Sequence, residues 1–141
     1  MAKDKYHYLV KEALIVEGWK ITHDPYPLKE WHPDWEIDLG AEKLIAAEKG
    51  KEKIAVEIKS FRALSFAYEF HTAIGQYFNY RVSLKDMEDD RVLYMAVPLS
   101  KWETEFVRAG IIASMKAMNA KIIVYNVDTK KIEQWIAYNQ K

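Results

Sequence analysis

Apolar residues open the chain at helical spacing. Leu9, Val10, Ala13, Leu14 and Val16 form one stripe, which predicts a helix over residues 3–17 ended by Gly18. The period then changes. Residues 19–23 read as a short strand stopped by the Asp24-Pro25-Tyr26-Pro27 turn, and residues 28–33 as loop. Strand character resumes over 35–39 and continues over 43–48. It turns at Lys49-Gly50-Lys51 and returns as a strand over 54–59. Ser65 can cap a second helix over 65–82, with a core stripe of Phe66, Phe70, Ile74 and Tyr77 and a second stripe of Glu69, Thr72, Gln76 and Tyr80. A strand over 91–97 ends at Pro98, and Ser100 with Glu103 makes a capping box for a helix through residue 107. A short helix over 111–118 and a hairpin of 121–127 with 131–137 complete an alternation of α and β elements.

The strand over 53–59 sets the chemistry to look for. Ile54, Val56 and Ile58 fall on one face, and Lys53, Ala55, Glu57 and Lys59 on the other. The Glu57 and Lys59 Cα atoms are then roughly 6 to 7 Å apart, so a carboxylate and an ammonium can share one ligand. An oxygen-seeking cation, Mg²⁺ or Mn²⁺, needs more oxygens than Glu57 provides; Asp38 on the preceding arm and the Ile58 carbonyl are the candidates. The competing reading of such alternation is the solvated face of a sheet.

Composition narrows the classes. A chain of 141 residues, half of them apolar and without repeats or linkers, reads as one compact domain. With 21 basic and 21 acidic residues there is no global attraction to nucleic acid, so a DNA-binding surface has to be local. The absence of Cys excludes disulfides, thiolate zinc sites and a cysteine nucleophile, and fits a reducing compartment. His7, His23, His32 and His71 lack zinc-site spacing, and no phosphate-cradling glycine loop occurs. No apolar run reaches transmembrane length, so the expectation is a cytoplasmic protein off the membrane. The five tryptophans are scattered as in core and interface packing, and residues 85–90 read as a solvated acidic loop.

An opening helix, strands carrying an acid and then E-x-K, a helix and a further strand resemble the PD-(D/E)xK, restriction-endonuclease-like superfamily. Asp38-Leu-Gly-Ala-Glu-Lys-Leu-Ile-Ala-Ala-Glu-Lys-Gly50, followed by Ile54-Ala-Val-Glu-Ile-Lys-Ser-Phe61, resembles the XisH family, the excision-controlling factors of the cyanobacterial fdxN element. The likeness extends over Gly18-Trp19-Lys-Ile-Thr-His-Asp24 and Leu93-Tyr-Met-Ala-Val-Pro98. It implies an α/β restriction-endonuclease-like fold, metal ligands at Asp38 and Glu57, a catalytic Lys59, and a further acid in the first helix, where Glu12 is the match. It also implies DNA, a XisI-type companion protein and a site-specific recombinase as partners. Asp38 follows Ile37 where the superfamily pattern has Pro, and it stands far from Glu57 for a tight hairpin. A bulge or short turn near Gly40 would restore the geometry; otherwise Glu48 is the competing first acid. Gln76 and Tyr80, i and i+4 on one helix face, resemble the Q-x-x-x-Y element of RecB-like nucleases.

Two functions are therefore expected to compete. The first is a metal-dependent DNA nuclease, or a nuclease-derived factor, acting in the excision of a DNA element. The second is a non-catalytic subunit in a homo- or hetero-oligomer that regulates a recombinase, as the neutral charge and many aromatics suit an interface.

Overall fold

The computed structural model describes residues 5–46 and 50–139. The opening stripe forms α1, His7–Val16, and Gly18 at φ +97° closes it in a left-handed conformation that a side chain resists. β1 (Lys20–His23) follows. The segment expected to be only a turn pairs instead: β2 (Tyr26–Pro27) runs antiparallel to β3 (Glu36–Ile37). β4 (Leu39–Ala46) and β5 (Gly50–Ile58) make a long antiparallel hairpin; residues 47–49, with Glu48, lie outside the described residues.

α2 (Phe66–Asp86) is capped by Ser65, whose Oγ accepts the Tyr68 N–H at 3.2 Å. It outruns the expected end, carrying Lys85 in its last turn where a cation suits the helix dipole. β6 (Val92–Pro98) then leads directly into α3 (Leu99–Thr104), and α4 (Ala109–Ala117) precedes the hairpin of β7 (Lys121–Asn126) and β8 (Lys131–Ala137). The expected capping box does not form. Pro98 occupies the N-cap, so Ser100 is already inside the helix, and its carbonyl accepts the Thr104 hydroxyl at 2.8 Å.

Six strands form one mixed sheet in the order β1-β4-β5-β6-β7-β8. β5, β6 and β7 are parallel and the outer pairings antiparallel. Parallel strands need cover on both faces, and here both are covered. Ala55, Leu93, Met95, Val97, Ile122 and Val124 pack under Phe70, Ala73, Tyr77, Tyr80 and Leu84 of α2. On the other face Ile54, Val56, Ile58, Ala96 and Ile123 pack with Val10 and Leu14 of α1. The alternation of β5 therefore separates two cores. Glu57 and Lys59, in phase with Ala55, belong to the α2 face.

Tyr77 anchors α2 over the sheet: its buried hydroxyl donates to the Leu93 carbonyl and accepts the Lys121 N–H, each at 3.0 Å. Residues 85–90 do more than meet solvent. Asp86 accepts the Trp31 Nε1–H at 2.6 Å and Asp89 accepts the Tyr26 hydroxyl, so the 28–35 loop docks against the end of α2. Among the described residues no helix is long and apolar enough to cross a membrane.

Candidate active site

The hairpin register brings the two acids together. Leu39 pairs with Val56 and Gly40 with Ala55, so the next position along the same register sets Asp38 against Glu57. No bulge at Gly40 is needed in this pairing, and the 19 positions that separate the acids span the two arms of the hairpin, whose pairing shifts once, between Leu44 and Ala46. Asp38 sits in a bend between β3 and β4. Its backbone N–H donates to Glu57 Oε1 at 3.3 Å, and its Oδ2 accepts the Ile58 N–H at 2.7 Å. A strand residue turns its N–H and C=O to the same side. The Ile58 carbonyl is thus directed to the side that carries Asp38.

Lys59 completes the cluster. Its ammonium lies 3.5 Å from Glu57 Oε2 and donates to Gln76 Oε1, which reaches down from α2. One turn further along α2, the buried ring of Tyr80 meets Trp35 edge-on at 5.9 Å. Asp38, Glu57, Lys59, Gln76 and Tyr80 therefore converge under α2.

Glu57 is 6 % exposed, which removes the solvated-face reading of its strand. Burial, followed by the negative charge of Asp38, pushes its pKa up to about 8, with Lys59 and the Asp38 N–H pulling the other way. Burial and then the charges of Glu57, Asp38 and Glu36 raise the Tyr80 phenol to about 12, so it stays protonated at neutral pH. Two carboxylates pressed together in a poorly solvated corner, with the Lys59 ammonium 3.5 Å from Glu57 Oε2, form an all-oxygen donor set, and Mg²⁺ commonly takes one or two carboxylates beside substrate phosphate oxygens. The residues present fit such an ion. Among the described residues no group of three or more His, Cys, Asp or Glu side chains is arranged to hold a metal.

Glu12 does not join them. It is exposed on α1, whose buried residues Val10 and Leu14 pack against the opposite face of the sheet. The helical stripe that buries Val10, Ala13 and Leu14 turns Glu12 outward.

A supporting cluster lies beside the acids and escapes the sequence reading. A Cβ on Gly40 would stand 3.1 Å from His23 Nδ1 and 3.3 Å from Arg91 Nε, so any side chain there would press on both groups. The Arg91 guanidinium donates to Thr22 Oγ1 at 2.9 Å, lies 3.5 Å from Asp89 and sits 5.1 Å from the Tyr26 ring centre. Tyr26 stacks on His23 at 4.4 Å. Burial and then the Arg91 charge lower the pKa of His23. The signal available was the glycine itself, two residues after an acid within a strand.

Comparison with known proteins follows the same geometry. The family model described as XisH protein matches residues 1–133. The chain belongs to the XisH family. It is 38% identical to an XisH family protein from Nostoc punctiforme whose crystal structure superposes with a TM-score of 0.79, covering 94% of this chain and 99% of that one. It is 39% identical to a fdxN element excision controlling factor protein from Anabaena variabilis, again with a TM-score of 0.79, covering 95% and 99% of the two chains. No functionally curated protein matches. XisH membership agrees with the mixed sheet flanked by helices described above.

Proposed function

We propose that this XisH-family chain is a PD-(D/E)xK-type, metal-dependent DNA nuclease acting in the controlled excision of a DNA element. The observation that carries this reading is the convergence of Asp38, Glu57, Lys59, Gln76 and Tyr80 under α2. The name of the Anabaena relative supplies the excision context. Asp38 and Glu57, with the Ile58 carbonyl, would hold Mg²⁺ or Mn²⁺. Such an ion supplies charge neutralisation at the scissile phosphate and acidifies a water. Lys59 orients the attacking water and stabilises the charge that develops on phosphorus-bound oxygen. Gln76 holds the Lys59 ammonium by its side-chain carbonyl. Tyr80 offers a neutral phenol beside the acids.

The test is nicking of plasmid DNA by the purified chain, alone and with a XisI-type companion protein, in Mg²⁺ or Mn²⁺. Wild type should cleave. Glu57→Gln should abolish cleavage by removing a metal-binding charge, and Lys59→Ala should abolish it while sparing metal affinity. Undiminished cleavage by Glu57→Gln would place the chemistry elsewhere.

A second reading rests on a different observation. Tyr68, Phe78 and Val82 are 73%, 55% and 50% exposed on one face of α2, with Gly75 between them at heptad spacing. Such a face suits a non-catalytic subunit that docks a XisI-type companion and so regulates a site-specific recombinase. No cleavage by wild type, even with the companion and Mn²⁺, would favour it.

A further inference from the structure

At the carboxyl ends of β5 and β6 the chain makes an abrupt turn. Phe61 has φ 53°, a left-handed conformation that a bulky side chain keeps only where its surroundings hold it. What holds it is burial: its ring, 1% exposed, packs against Phe66 at 4.8 Å and Phe106 at 6.2 Å between ring centres. With Phe61 locked inward, its neighbours Ser60 and Arg62 line a cleft of about 280 Å³ together with Ser100, Lys101, Tyr6 and Val127. The polar groups of this lining are hydroxyls, one guanidinium and one ammonium, with no carboxylate among them. Among the described residues neither Arg62 nor Lys101 takes part in an ion pair. In a chain with zero net charge, a concave surface carrying two cations and no acid is a local positive site. Its far edge is marked by the adjoining pocket, which shares Pro98, Ser100 and Val127 but adds Glu103 and Asp128. The positive ground is thus confined to the lining that carries Ser60, Arg62 and Lys101.

We infer that this cleft binds a backbone phosphate of the DNA strand, adjacent to the phosphodiester held at Asp38, Glu57 and Lys59. The inference rests on the nuclease-site reading for its placement and on the cleft's own chemistry for its ligand. Crevices outside the carboxyl ends of parallel strands are where open α/β sheets take their ligands. Ser60 follows Lys59 directly, and three residues of extended chain span at most about 10 Å, so Arg62 stands within about one or two nucleotides of the catalytic lysine. Arg62 supplies a planar fork for phosphate oxygens, Lys101 a point charge, and the Ser60 and Ser100 hydroxyls neutral donors. Contacts of this kind fix the register of the strand and carry no base sequence.

The experiment measures binding of a short labelled duplex to the full chain in Ca²⁺, over a series of salt concentrations. The double variant Arg62→Ala with Lys101→Ala should bind roughly eight- to tenfold more weakly at 0.1 M salt, and its log K against log[salt] slope should be shallower by about 0.9, one phosphate's worth. Arg62→Lys should restore part of the loss, and Lys116→Ala on α4 should change neither reading. Inorganic phosphate at matched ionic strength is the second probe. Saturation of the cleft by phosphate without displacement of DNA would overturn the nucleic-acid assignment, as would no DNA binding by wild type at low salt. The outcomes separate the two proposals. DNA binding lost in the double variant of a chain that never cleaves keeps the cleft and removes the nuclease; cleavage by a double variant with unchanged affinity and slope keeps the nuclease and removes the cleft.

Discussion

Replacing Glu57 by Gln should stabilise the metal-free protein, and by an amount that grows with pH. The carboxyl is 6 % exposed beside Asp38, and burial first, the Asp38 charge second, hold its pKa at about 8 against 4.5 in an open chain. Between those values the unfolded chain has released a proton that the folded chain keeps. Folding stability contributed by this group is therefore full below about 4.5, falls as pH rises through the interval, and levels off above about 8. At ~1.4 kcal/mol per pH unit the whole interval is worth at most about 5 kcal/mol, the opposing pull of Lys59 and the Asp38 N–H being already contained in that pKa.

Gln keeps the shape and does not titrate, so the difference between the two proteins reports the titration of Glu57 together with its coupling to Asp38 and Lys59. Urea denaturation at several pH values between about 5 and 9 gives that difference from the midpoints, with an unchanged m-value as the check that nothing else moved. The variant should gain on wild type through the interval and then hold a constant lead. Mg²⁺ added at pH 8 should narrow the lead, because only wild type gains the full linkage from binding. A lead that is flat, or that shrinks as pH rises, would mean that Glu57 is ionised in the fold and that Lys59, not burial, governs it.

Gly40→Ala should cost about 1–3 kcal/mol, since its Cβ would press on His23 and Arg91; an unchanged urea midpoint would show that the cluster yields freely. Tyr77→Phe removes one hydroxyl that serves both the Leu93 carbonyl and the Lys121 N–H, and should cost about 1–3 kcal/mol in the same measurement. In a cleaving protein Gln76→Ala should lower kcat more than it changes KM, because it releases the Lys59 ammonium; wild-type kcat would show that Gln76 does not position it.

The parts of this fold that were legible are those decided by neighbours in sequence. Gly18 stops α1, Ser65 caps α2, and the alternation over β5 assigns Ile54, Val56 and Ile58 to one face and Glu57 with Lys59 to the other. Pairings between distant segments were not legible. β2 and β3 are two residues each, too short to show a period, and they exist because Tyr26 and Ile37 are brought together by the loop that Trp31 and Asp86 pin. Ser100 and Glu103 carry the spacing of a cap, but Pro98 takes that place first. Glu12 illustrates the limit most directly. The helix stripe predicts which side of α1 is buried, and only the sheet topology says against which face.

The same topology explains why the site residues could be named at all. In a hairpin, an acid at the start of one arm and an acid at the end of the other meet at the open end whatever the length between them, so the separation that made Asp38 look remote costs nothing where the register runs unbroken from the Leu39–Val56 pair to the Leu44–Lys51 pair. That open end is also where β5 and β6 finish. The acids Asp38 and Glu57, with the Lys59 ammonium 3.5 Å from Glu57 Oε2, are then followed along the chain by the cleft that Ser60, Arg62 and Lys101 line. In the proposed reading the acids take a divalent cation and the cleft takes a phosphate anion. A divalent ion carried against a nucleic-acid backbone supplies both at once, whereas a protein partner would have to present the same two charges in the same order.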